Sequence, residues 1–265
     1  YNPGDRVFIA PKAPCMQCDY CKNGHYPVCN GIKERLPGGF AEYVLVPNTL
    51  VEHGTYRLPD TISYEQSTFI EPLACVVRAQ RLAGVQQGQT VMVFGCGISG
   101  LLHIKLAKAE NCPVIATDIN ARRLQRAALL EADITIDAAQ NVVERLAVAS
   151  DKKADVVILS TSAKSAIDQA WKCVDKGGTI VFFAVPGPDK QITIPLNDFW
   201  TKEIKILTSY YCGPPDIIDA IDLIASGTVS VDDLVTHRLP LKDISRGFQL
   251  VLDGKESMKV IIKPN

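Results

Sequence analysis

The stretch QTVMVFGCGISGLLHIKLAKAE, residues 89–110, decides the fold. It opens on an apolar run, Val91-Met92-Val93-Phe94, turns through Gly95-x-Gly97-x-x-Gly100 and continues as a helical pattern to Glu110. Each glycine has its own physical task. Gly95 permits the tight turn, Gly97 lets the backbone approach a pyrophosphate, and Gly100 allows the helix to pack closely on the strand. The unpaired N–H groups at the start of such a helix attract phosphate. The spacing alone is a weak signal; its context strengthens it. A second apolar run, PVIATD (113–118), ends on Asp118, within the expected distance of about twenty residues. A carboxylate there accepts hydrogen bonds from both ribose hydroxyls of NAD and repels the 2′-phosphate of NADP. Arg122 and Arg123 follow and pull the other way, since arginines at this point also hold that phosphate; with the acid in place the reading favours NAD. A methyltransferase also combines a glycine loop with a ribose-binding acid, and it is the competing reading of this segment taken alone.

The pattern repeats outward. Apolar runs at 134–136, 155–160, 179–185 and 203–209 are interleaved with helical stretches near 120–131, 140–149 and 163–175. Strands alternating with helices in this way predict an α/β fold with a doubly wound parallel sheet. The flanks read differently. Residues 4–9 and 39–46 look like β-strands, and 215–265 reads as two helices and a closing strand, MKVIIK. A sheet domain over 76–211, inserted between the two parts 1–75 and 212–265 of another domain, accounts for the change of character.

Near the start, PKAPCMQCDYCKNGHYPVCN (11–30) holds Cys15, Cys18, Cys21 and Cys29. Two-residue gaps in a tight turn aim successive sulfurs at one centre, and the longer loop brings the fourth around. Four thiolates leave no open coordination position, so zinc here is structural. An iron–sulfur cluster is the rival, but its bacterial pattern has a three-residue last gap followed by proline, whereas here the gap is seven and Asn30 follows. Two disulfides are the remaining alternative, disfavoured in a reducing compartment. His25 lies in the same loop and reads as an exposed residue once four cysteines are supplied.

The other five cysteines (Cys75, Cys96, Cys112, Cys173, Cys212) are scattered through apolar segments, which suits reduced, buried thiols and a cytoplasmic protein. A net charge of −1 gives no general attraction to nucleic acid or anionic membranes. No apolar run is long enough to span a bilayer.

These motifs coincide with a known family. PGDRV (3–7), the four cysteines, GGFAEYVLVP (38–47), EPLA (71–74), GCGISG (95–100), TDIN (117–120) and GKESMKVIIKP (254–264) run almost end to end. The chain resembles the zinc-dependent medium-chain alcohol and polyol dehydrogenases, in the sorbitol and threonine dehydrogenase branch. The resemblance implies a Rossmann sheet inserted in a partial GroES-like, β-rich catalytic domain that carries a structural zinc lobe. It implies a reaction at a second, catalytic zinc: hydride transfer between a secondary alcohol or polyol and NAD. For the cofactor it implies Gly97 and Ile98 at the pyrophosphate, Asp118 and Arg123 at the adenosine ribose, Thr161 and Ser162 after the fourth strand, Val185 and Pro186 near the nicotinamide, and Lys259 as a cation for the pyrophosphate. Thr161 and Ser162 are equally placed to cap the next helix.

The family's catalytic zinc takes a cysteine and a Gly-His-Glu motif upstream of PGDRV, and that part of the catalytic domain is expected to precede Tyr1. Glu71 in EPLA is then the one member of the constellation in this chain, as a third ligand or a holder of zinc-bound water; its alternative is an acid capping a helix that starts after Pro72. His53, His103 and His237 form no ligand pair at helical or hairpin spacing. The family pairs the last sheet strand, here EIKILTSYY (203–211), across a two-fold axis, implying a homodimer or homotetramer. The alternative from a different class is a truncated protein that binds NAD without a catalytic zinc or activity.

Overall fold

The computed structural model describes residues 1–32 and 34–264. Its strands in chain order are β1 (Val7–Ile9), β2 (Thr55–Arg57), β3 (Val91–Phe94), β4 (Val114–Asp118), β5 (Ile134–Asp137), β6 (Ala154–Leu159), β7 (Val174–Phe182), β8 (Lys205–Thr208), β9 (Val235–Pro240) and β10 (Lys259–Lys263). The chain divides into two compact units, Val76–Tyr210 and Tyr1–Cys75 with Tyr211–Asn265. Among the described residues no helix is long and apolar enough to cross a membrane.

In Val76–Tyr210, six parallel strands lie in the order β5-β4-β3-β6-β7-β8. Every residue of β3 and β4 is buried, because both faces of the central strands are covered. That is why they read as continuous apolar runs rather than alternating ones. Met92, Phe94, Ile115, Val157, Leu159 and Ile180 pack with Ile167 and Ala170 of helix Lys164–Cys173. Burying a large apolar side chain of this kind contributes about 1.5–3 kcal/mol. The chain runs outward from β3 to β5, then returns to place β6 on the other side of β3. This reversal sets the C-terminal ends of β3 and β6 side by side, at the point where sheets of this type bind ligands.

Two glycines make the first turn possible. Gly95 has φ +94°, a conformation that L side chains rarely adopt. A Cβ on Gly100 would sit 1.8 Å from the Gly95 carbonyl oxygen, so helix Ile98–Ala109 reaches β3 only without a side chain there.

In the other unit, β1 pairs antiparallel with β2, and β9 pairs parallel with β10. The strand expected over 39–46 does not form: Tyr43 and Leu45 are 92% and 89% exposed. An alternating pattern makes a strand only where a neighbour completes the hydrogen-bond ladder, and among the described residues none lies opposite. Residues 4–9 yield only the short β1, while β2 and β9 were not anticipated. Helix Ile70–Ala83 begins ahead of Pro72, not after it. A proline is tolerated in the first turn, where its missing N–H has no intrahelical partner to lose.

Candidate cofactor cleft and metal centres

The C-terminal ends of β3, β4 and β6 enclose a cleft of about 240 Å³. Gly95, Gly97, Asp118, Arg123 and Thr161 line it, joined by Ser160, Ser165 and Gln169, which sequence reading missed. Ser160 directly follows the apolar run of β6 and had a usable signal; Ser165 and Gln169 reach the cleft only through the placement of helix Lys164–Cys173.

Asp118 is the most constrained group here, 6% exposed. Its Oδ2 accepts the Cys96 N–H at 2.7 Å and its Oδ1 the Asn120 N–H at 2.8 Å. The Arg123 guanidinium stands 3.9 Å from Oδ2. The carboxylate is thus locked to the glycine turn by one oxygen and to the start of helix Ala121–Leu129 by the other. Gly97 is the N-cap of helix Ile98–Ala109 and supplies no side-chain cap; a Cβ built on it meets nothing within 4 Å. The open backbone and uncapped helix start fit an anionic phosphate, and the fixed acid fits a ribose, so the residues present suit a dinucleotide.

Ile98 and Gly100 form the first turn of the helix behind the cleft. Thr161 Oγ1 accepts the Ala163 N–H at 3.4 Å. The N-cap of helix Lys164–Cys173 is Ala163, so the cap role weighed for Thr161 and Ser162 is not taken by either. Ser162, Val185 and Pro186 are not among the lining residues, and Val185 is exposed. Lys259 belongs to the other unit, where its Nζ donates to the Thr68 carbonyl at 2.9 Å and lies 4.9 Å over the Phe69 ring. Burial lowers its pKa, opposed by the charge of Glu71. Cys96 is fully buried, with its thiol pushed up to about 12 by burial and then by Asp118; it packs and does not ligate.

The sulfurs of Cys15, Cys18, Cys21 and Cys29 lie within 4.8 Å of one another. The separations are 3.4 Å for Cys15–Cys29, 3.5 Å for Cys18–Cys21 and 3.7 Å for Cys18–Cys29. A zinc ion at its usual sulfur distance sets neighbouring ligands about 3.8 Å apart, so the cage fits the metal. The Cys15 and Gly31 N–H groups donate to Cys29 Sγ at 3.3 and 3.2 Å, the pattern expected around a thiolate. Gly31 is required by space: a Cβ there would come within 2.5 Å of Cys15 Cβ.

Glu71 enters a second group, with Cys75 and Cys212. Glu71 and Cys75 stand one turn apart on helix Ile70–Ala83, and Cys75 Sγ contacts Glu71 Oε1 at 3.4 Å. The Cys75 thiol is held well above the usual range, first by its hydrogen bond with the Cys212 sulfur and then by burial. Sequence reading missed both cysteines; the four-residue spacing from Glu71 to Cys75 was its one available signal. None of the histidines joins a metal-ligand group among the described residues. His103 is fully buried against Phe183 and bonded to Gln80.

Comparison with known proteins agrees with this geometry. The family model described as a zinc-binding dehydrogenase matches residues 99–226, and that of the alcohol dehydrogenase GroES-like domain matches residues 1–60. The erythritol/L-threitol dehydrogenase of Mycolicibacterium smegmatis is 35% identical, over 98% of this chain and 73% of its own length. The crystal structure of 2R,3R-butanediol dehydrogenase from Bacillus subtilis superposes with a TM-score of 0.87 at 29% identity, covering 100% of this chain and 75% of that one. A zinc-binding dehydrogenase from Sinorhizobium meliloti, solved bound to NADP, gives a TM-score of 0.87 at 28% identity, covering 100% and 78%. The chain belongs to the zinc-binding, medium-chain polyol dehydrogenase family.

Proposed function

We propose that the chain is a zinc-dependent oxidoreductase that transfers a hydride between a secondary alcohol or polyol and NAD. The observation that carries this reading is Asp118, whose carboxylate is fixed beside the glycine turn by two backbone N–H groups. Arg123 stands 3.9 Å from that carboxylate, so one of the two arginines that could hold a 2′-phosphate is drawn to the acid, which favours NAD over NADP. Relatives named for erythritol, threitol and butanediol support a substrate with neighbouring hydroxyls.

In this reading the N–H groups at Gly97 and Ile98 receive the pyrophosphate, Gly95 and Gly100 shape the turn, and Asp118 with Arg123 orients the ribose. Thr161 and Ser162 border the cofactor's path, and Val185 and Pro186 meet its nicotinamide end. Cys15, Cys18, Cys21 and Cys29 hold a zinc with no open position, so their task is to staple the lobe. Glu71 serves the catalytic zinc. A zinc held there would supply Lewis acidity toward the substrate hydroxyl, and a nicotinamide held in the cleft would supply a hydride acceptor.

The test is steady-state reduction of NAD and NADP by the zinc-replete protein with erythritol, threitol, sorbitol, 2,3-butanediol and threonine. The reading expects at least one polyol or secondary alcohol to be oxidised with kcat/KM at least about tenfold higher for NAD, the equivalent of about 1.4 kcal/mol. NAD binding without turnover of any of them favours the non-catalytic alternative, and equal use of NADP overturns the cofactor assignment.

A further inference from the structure

Helix Lys164–Cys173 follows β6 and buries Ala166, Ile167 and Ala170 in the core, which fixes the backbone on either side of Gln169. Gln169 itself lines the cleft. Its Oε1 accepts the Val142 N–H at 2.8 Å. Val142 is the first residue of helix Val142–Ala149, whose N-cap Asn141 accepts from the next two N–H groups, those of Val143 and Glu144. The Val142 N–H is thus one of the donors that a helix start leaves without an intrahelical partner, and Gln169 supplies the acceptor that Asn141 does not.

That bond settles which way the amide faces. A glutamine amide has one accepting end and one donating end, and turned over it would set N–H against N–H. The oxygen is committed to the neighbouring helix, and the nitrogen is what Gln169 offers the cleft. Among the described residues none accepts a hydrogen bond from it. The hydroxyls of Ser160, Thr161 and Ser165 in the same lining rotate and can donate or accept, so they set no preference. Ile119, directly after Asp118 and 77% exposed, gives the lip an apolar side chain that a flat ring can cover. An apolar lip with one neutral donor of fixed direction suits a heteroaromatic base that has lone pairs on its ring nitrogens.

We propose that Gln169 is a specificity-determining residue of the cleft, whose Nε2 donates to an acceptor nitrogen in the purine ring of the bound dinucleotide and so positions the base. The proposal rests on the reading of the cleft as a dinucleotide site and adds a residue that recognises the base, where Asp118 and the glycine turn serve the ribose and the phosphates. A donor locked in this way favours a ring nitrogen over a C–H at the same place, and it cannot serve the exocyclic amine, which is itself a donor.

The zinc-replete protein is titrated calorimetrically with NAD and with its 1-deaza, 3-deaza and 7-deaza analogues, in each of which one adenine ring nitrogen is replaced by C–H. One analogue should bind about three- to tenfold more weakly than NAD, the range of a neutral hydrogen bond. In Gln169→Leu that gap should close to within about 1.5-fold. The closing of the gap is the readout, since lost packing or a shifted helix would weaken all four dinucleotides alike. Should Gln169→Leu unfold by circular dichroism, Gln169→Glu decides: it keeps an oxygen for the Val142 N–H and replaces the donor with a second acceptor, so the same gap should close. Three analogues that all bind the unmodified protein as tightly as NAD, or a gap that persists unchanged in the variant, overturn the proposal and leave the dinucleotide reading standing. Failure of NAD itself to bind the unmodified protein overturns both.

Discussion

Removing the charge of Asp118 should move cofactor preference more than it moves stability. Asp118→Asn keeps the size of the side chain and one acceptor oxygen, so one of the two backbone bonds, from Cys96 or Asn120, survives. The other N–H loses its acceptor, at a cost of about 1–3 kcal/mol in folding, read as a lower Tm by about 2–4 °C for each kcal/mol in a protein of this size. The cofactor terms are separate. Each ribose hydrogen bond to a charged acceptor is worth about 1.5–3 kcal/mol; weakening one should raise the Kd for NAD by about tenfold or more. A 2′-phosphate placed ~4 Å from the carboxylate is repelled by about 1 kcal/mol at the dielectric of water and by about 4 at an effective value of 20. Losing that repulsion, and freeing Arg123 from its 3.9 Å contact, should tighten NADP. Both changes narrow the NAD/NADP ratio, so it should shift by at least about tenfold. Calorimetric titration of the folded variant with each cofactor measures it. A ratio that stays within about twofold of the unmodified protein, with the fold intact, would mean that Asp118 orders the glycine turn and does not face the ribose.

Two further outcomes follow from particular residues. Burial lowers the His103 pKa from 6.5 to about 3, so below ~6.5 the unfolded chain takes up a proton that the folded protein refuses, and stability falls with pH by about 2 kcal/mol between pH 7 and 5; urea unfolding of His103→Gln should lose that much less over the same window, and an equal loss refutes the assignment. β8 is the edge of the sheet, with Ile206 exposed on it, and an edge strand of this kind can pair with another chain; we expect a two-fold dimer there, so Ile206→Pro, which deletes a ladder donor, should give a smaller species in light scattering while NAD binding persists, and an unmodified protein that is already a monomer at micromolar concentration refutes it.

The sheet was legible because its signals are local. Val91–Phe94 is buried on both faces and so reads as one apolar run, and the turn after it demands glycine at Gly95 for its φ and at Gly100 for its clearance. Those demands are imposed within a few residues and leave a mark in the sequence. The same logic explains the four cysteines, three of which fall within seven residues. The failure at 39–46 has the opposite cause. The alternation of GGFAEYVL is a fair strand pattern, but pattern fixes only which face a residue takes; the ladder is completed by another segment, and no residue at 39–46 can announce whether that segment is there. β9 and β10 show the converse, two short strands that become a sheet only because each finds the other in parallel register.

The Glu71 group separates these two kinds of information most sharply. Its helical half, Glu71 and Cys75, is a four-residue spacing that any helical pattern displays, yet a carboxylate and a thiol one turn apart are common without purpose. The third member of the group is Cys212, carried in from the far side of the whole parallel sheet in sequence. Its placement depends on Tyr211 in a left-handed conformation and on Gly213 pressed against Tyr26, neither of which has anything to do with the sequence around Glu71. A convergent group is therefore encoded twice: once in its side chains, and once in the residues that shape the backbone behind them. Substituting Gly213 would test that second encoding, since it leaves all three donor atoms in the chain and removes only the clearance that lets Cys212 stand beside them.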